Sequence, residues 1–277
     1  MSLRNSALLV NFNASQWTAR KLDKKITDEV NTSHSASQDA GRYNKLLFAK
    51  DKTEAISKVV NAARTYHYEV TLPWGDNGER LLTSAIYLAY VSKMSEFKNE
   101  FQDAVNYFLA NYDAFMVEER VRLNGMFKES DYPSKSDIQE KFDFRTTFMP
   151  VPDSDIRVGL DDSEVSNLKV QIESEINSRL SNAVSNIWQR IKTQLSNMRE
   201  KLNDEKGIFR DSLFENLKDL VALLPALNVT GDADIARVCI EMQGLVEDPN
   251  AVRTNKALRA AKAEEVEQVM NKFKGFF

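Results

Sequence analysis

The chain has 277 residues, 42 % of them hydrophobic and 9 % aromatic, enough to bury roughly three quarters of its unfolded surface without disulfide staples. Its single cysteine, Cys239, excludes an internal disulfide and suits a reducing compartment, while two histidines and nine glycines leave several enzyme classes short of parts. A net charge of −4 does not describe a protein that coats duplex DNA, yet residues 1–60 carry ten Lys and Arg against six Asp and Glu, and residues 101–160 seven against eleven.

In chain order, Trp17, Leu22, Ile26 and Val30 predict a short amphipathic helix over Ser15–Val30, followed by a small polar loop at Asn31–Gly41. Further helices are expected at Tyr43–Ala49 and Lys52–Tyr66, and Pro73, Gly75 and Gly78 then enforce a turn. From Thr83 to Phe115 the apolar positions recur every three or four residues as an aromatic stripe, which predicts a long helix with a break near Asn111. Phe142–Met149 and Ile156–Val158 alternate like two short strands around a proline-containing connection. The strongest pattern runs from Ser163 to Lys206 without Pro or Gly. Its seam repeats at intervals of eleven (Val165, Ile176, Ile187, Met198), which predicts one nearly straight helix of roughly 65 Å. Helices over Ile208–Leu224, stopped by Pro225, and over Asp232–Val246 and Asn250–Phe273 follow.

These elements predict a mainly α, elongated protein with a long C-terminal antiparallel helical hairpin and a small β-hairpin insert. The expected division is residues 1–141, 142–160 and 161–277. No run approaches the ~18 apolar residues of a membrane span, and Ala7–Val10 is too short for a signal peptide, so a cytoplasmic location is expected.

The chemistry-bearing motifs are few. There is no phosphate-wrapping glycine loop, and His34, His67 and Cys239 fall short of a structural zinc set, so no metal or other cofactor is expected. Asp161/Asp162 and Asp232/Asp234 precede helices, where carboxylates cap amides. The informative segment is Arg64–Arg80. There Tyr66, Tyr68 and Trp74 lie beside Arg64 and Arg80, and Arg42, Tyr43 and Lys45, with Arg20, Lys21, Lys24 and Lys25, add positive charge. Single-stranded nucleic acid is bound by this pairing, since rings stack on bases while cations track the backbone. The competing interpretation is that Trp74 plugs the core at a tight turn. Ile187 and Ile191 on the long seam, and Phe273, Phe276 and Phe277 at the tail, are candidate partner contacts, the tail either docking on its own chain or serving as a ligand for another.

The segments Arg4–Lys24, Ala63–Trp74 and Tyr132–Arg145 resemble a group of uncharacterised proteins of tailed bacteriophages and prophages. The resemblance implies a viral, host-cytoplasmic setting and brings no activity or catalytic residue. Phage single-stranded-DNA-binding proteins are similar more loosely, through a phenylalanine-bearing tail; those tails are acidic, whereas this one carries Lys272 and Lys274. The expected function is therefore non-enzymatic: binding single-stranded DNA, with self-association through the long helices. The alternative is an oligomeric scaffold or adaptor that binds a host or phage protein.

Overall fold

The computed structural model describes residues 3–153, 161–204 and 207–277. The chain is mainly helical, with a small antiparallel sheet component. In order the elements are β1 (Ala7–Ser15), β2 (Arg20–Leu22), α1 (Lys24–Ser33), β3 (Asn44–Leu46), α2 (Asp51–Glu69), β4 (Leu72–Pro73), β5 (Arg80–Thr83) and α3 (Tyr87–Ala110). After these come α4 (Tyr112–Leu123), α5 (Lys135–Gln139), β6 (Asp143–Pro150), α6 (Asp162–Asn203), α7 (Ser212–Leu227), α8 (Ala233–Gly244), α9 (Pro249–Thr254) and α10 (Lys256–Lys272). They form two compact units: Met1–Asn11 with His67–Tyr90 and Thr147–Phe277, and Phe12–Tyr66 with Val91–Thr146.

The N-terminal reading is corrected by the structure. Ala7–Ser15 is a strand, and the helix expected from Ser15 begins only at Lys24, because the Asp23 carboxylate accepts the Ile26 amide (3.3 Å) and caps it there. Instead of a helix over Tyr43–Ala49, Asn44–Leu46 pairs with Arg20–Leu22 as a two-stranded antiparallel ribbon. Strands β4, β5, β1 and β6 lie in that order in a four-stranded sheet. Its β4–β5 hairpin turns through Gly78 at φ 88°, a conformation that favours glycine. Thus β6 joins a sheet and is not an isolated insert; the companion strand expected at 156–158 lies outside the described residues.

In the Phe12–Tyr66/Val91–Thr146 unit the aromatic stripe of α3 faces inward, with Phe97, Phe101, Val105 and Phe108 buried. Phe48 sits among Phe108, Tyr112 and Tyr132 at ring-centroid distances of 5.3–5.5 Å. Lys45, only 2 % exposed, is held by Asp131 (2.6 Å), Asp23 (3.7 Å) and the Met126 carbonyl (2.7 Å), the partners a buried ammonium requires.

In the other unit, α6 is one uninterrupted helix capped by Asp161, whose carboxylate accepts the Ser163 and Glu164 amides at 3.0 Å and is held below its usual range by them. Its second half is core: Ile187, Ile191, Leu195, Met198 and Leu202 are all buried. In the first half, Val165, Leu168, Ile172, Ile176 and Leu180 stay partly exposed. Helix α10 runs antiparallel to α6, as contacts of Trp188 with Phe273, Arg199 with Glu267 and Arg259 with the Leu202 carbonyl show, and α7 also lies along α6, where the Gln194 side chain donates to the Leu213 carbonyl (3.0 Å). The helix expected over Asn250–Phe273 is two, because Asn255 ends α9 and its side chain accepts the Leu258 amide (3.1 Å) to start α10.

Pro225 does not stop α7, which continues to Leu227. A proline there removes the N–H that would bond the Val221 carbonyl, and the buried Cys239 thiol of α8 donates to that carbonyl at 3.4 Å. Burial raises the pKa of this thiol and keeps it a neutral donor. Cys239→Ala is expected to lose about 1 kcal/mol in urea denaturation, and Cys239→Ser, which keeps a donor, less. The reverse order would show that the carbonyl needs no donor.

Candidate nucleic-acid interface

Sequence neighbours around Arg64–Arg80 are divided by the fold. Tyr68, Trp74 and Arg80 belong to one unit; Arg42, Tyr43, Lys45, Arg64 and Tyr66 belong to the other. Trp74 is only 7 % exposed, its ring beside Pro152, Ile172 and Ile176, so it is not presented for base stacking. The Arg80 guanidinium lies 4.7 Å from the centre of the Tyr68 ring and donates to the Thr71 hydroxyl (2.6 Å) and the Thr71 carbonyl (2.9 Å). Arg190 of α6 donates to the Tyr68 (2.9 Å) and Thr71 (2.6 Å) carbonyls and to that of Glu69. Both cations therefore satisfy the free carbonyls at the end of α2. Burial, with Arg190 as a second cause, pushes the Arg80 pKa down to about 10.

His67 is buried, with Nδ1 2.8 Å from the Tyr90 hydroxyl. Burial, and after it the charge of Arg80, pushes its pKa down to about 4. The residue reads as a neutral core histidine.

In the other unit, Tyr66 is partly buried against Phe97 (6.1 Å between ring centroids), Arg64 is exposed on α2, and Lys45 is the buried ammonium described above. What this unit does expose is the β2–β3 ribbon. Arg20 and Lys21 on β2, Lys24 and Lys25 at the start of α1, Arg42 before β3 and Lys50 after it are all exposed. Lys25 faces Glu29 at 3.7 Å; among the described residues, Arg20, Lys21, Lys24, Arg42 and Lys50 have no ion-pair partner. Tyr43 (38 % exposed) and Leu22 (39 % exposed) lie among them.

The ribbon is held rigidly. The Asp23 amide donates to the Tyr43 carbonyl (3.0 Å), the Tyr43 amide to the Thr27 hydroxyl (3.0 Å) and the Leu47 amide to the Ala19 carbonyl (2.8 Å). Ala19 adopts φ 50°, a costly conformation for a residue with a Cβ, at the entry to β2. Beside it a groove of about 650 Å³ runs along the first turns of α2, lined among others by Trp17, Arg20, Phe48 and Lys50. Lys50 and Trp17 were missed as site residues, because the sequence gives no sign that they share a surface with Arg20.

The remaining candidates make contacts within their own unit, three of them buried, with Phe276 still 42 % exposed. Ile187 and Ile191 are fully buried, and Phe273 is 2 % exposed. Phe276 stacks on Trp188 (4.5 Å, 15°) and Phe277 meets the same ring edge-on, so the tail packs on α6 of its own unit. No three His, Cys, Asp or Glu side chains among the described residues are grouped so as to hold a metal ion, and no described helix is long and apolar enough to cross a membrane. Comparison with protein-family models, curated proteins and solved structures gives no match.

An unfolded histidine takes up a proton near pH 6.5, whereas folded His67 refuses it down to about pH 4. Wild type is therefore expected to lose stability relative to His67→Gln as pH falls through that window, by on the order of 2 kcal/mol. Parallel urea midpoints for the two proteins from pH 7 to 4 would contradict this.

Proposed function

We propose that the chain binds single-stranded nucleic acid without transforming it, as part of phage DNA metabolism, on the basic β2–β3 ribbon. One observation carries this reading: among the described residues, the ribbon and its flanks carry five exposed cations without an ion-pair partner, with Tyr43 exposed among them. Three other cations of the fold, Lys45, Arg80 and Arg190, are used in internal contacts. Cations without acid partners release counterions when they meet phosphates, and an exposed ring offers a base a face to stack on. The site is small and the chain acidic overall, which suits a flexible single strand better than a duplex.

Replacing Arg20, Lys21 and Arg42 together by Ala is expected to weaken binding of an oligothymidylate in fluorescence anisotropy. The slope of log affinity against log salt should fall by about 2, at ~0.7 per lost phosphate contact, with the circular dichroism unchanged. An unaltered slope, or no binding by the parent at moderate salt, rejects the assignment.

A second function, self-association as a scaffold or adaptor, is favoured by the partly exposed Val165 and Leu168 on the first half of α6. Glu substitutions at Ile187 and Ile191 would disrupt the core and say nothing about partners. Val165→Glu with Leu168→Glu is the informative pair. It is expected to reduce a multimer to a monomer in light scattering, and a parent already monomeric at micromolar concentration counts against this function.

A further inference from the structure

The groove beside the ribbon has a composition that selects its occupant. Two carboxylates, Asp51 and Glu54, line it together with two cations, Arg20 and Lys50. Glu54 faces Lys58 of its own helix at 3.0 Å, and Asp51 faces Lys52 at 3.7 Å, a lysine that Glu118 holds more closely at 2.5 Å. Arg20 and Lys50 have no acid partner among the described residues. The wall thus carries more positive charge than its carboxylates balance, which favours an anion.

Its floor is aromatic. Trp17 lines the groove and is partly exposed. Phe48 (5.8 Å), Phe108 (6.2 Å) and Tyr112 (6.4 Å) back the indole and fix its orientation. The other two tryptophans, Trp74 and Trp188, are 7 % and 5 % exposed, so Trp17 is the indole that a ligand can reach. At about 650 Å³ the groove falls within the ~300–1,000 Å³ of small-molecule pockets.

The geometry points to a nucleobase-binding groove: one unpaired base of a bound strand packs against Trp17 while Arg20 and Lys50 hold the phosphates on either side of it. This inference rests on the nucleic-acid reading above and extends it from a phosphate-tracking surface to one that recognises bases, which a closed duplex cannot offer. Nothing in the arrangement distinguishes one base from another, because stacking uses a ring face that every base has.

The test compares an oligothymidylate with an abasic oligonucleotide of equal length and charge, by anisotropy and by tryptophan emission. Wild type is expected to bind the base-bearing strand at least about tenfold more tightly and to show quenched emission. Trp17→Phe should lose the quench and most of the preference while still binding the abasic strand. Equal affinity of wild type for both strands overturns the groove while leaving the ribbon in place; binding of neither overturns both. Lys50→Ala, which does not touch the aromatic core, provides a second variant. It should weaken both strands, and an unchanged affinity for both removes Lys50 and its phosphate from the site.

Discussion

Helix α2 ends in carbonyls that its own backbone cannot satisfy, and arginine is what satisfies them. Arg80 reaches back from β5 and Arg190 across from α6, and their donors cover the carbonyls of Tyr68, Glu69 and Thr71. The same construction closes α6 itself, where Arg259 donates to Lys201 (2.7 Å) and Leu202 (3.0 Å) and lies over the Phe209 ring. A guanidinium suits this role because it is planar, carries five donors and is charged at every physiological pH. The partial negative charge of a helix C-terminus compensates it without a carboxylate. This clamp fixes the β4–β5 hairpin against α6, and so turns Trp74 inward.

The clamp also explains why Trp74 and the Arg80 guanidinium of the most suggestive stretch of sequence are taken up internally, while Tyr68 stays 50 % exposed. Rings next to cations in the chain announce a nucleic-acid site only if both point outward. Here Arg80 is needed at a helix end, Lys45 is needed between two aspartates, and Trp74 fills the space behind a glycine turn. The basic N-terminal residues, which are remote from any core requirement, keep their cations free. Their positive excess was visible in composition, whereas the ribbon that organises them was not.

Periodicity made the long elements legible. The helices at α2, α3 and α6 follow from spacings of three and four sustained over many turns, whereas the break at Asn111 is marked by the residues Asn111, Tyr112 and Asp113 and not by the spacing. Short elements set by pairing or capping were hidden. Arg20–Leu22 and Asn44–Leu46 have no alternation long enough to read, and their pairing depends on residues distant in sequence. Asp23 and Asn255 move helix boundaries through single hydrogen bonds that a hydrophobic pattern cannot register. At Pro225 the carbonyl that proline frees takes a thiol on α8 as its donor, and the helix runs two residues further before it ends.

One apolar seam runs along α6 through two environments, enclosed from Ala183 onward and partly exposed before it. In the first half Ile172 and Ile176 line the same small cavity as Trp74. A bulkier or charged side chain at either position would therefore be felt at the β4–β5 hairpin as well as on the helix itself.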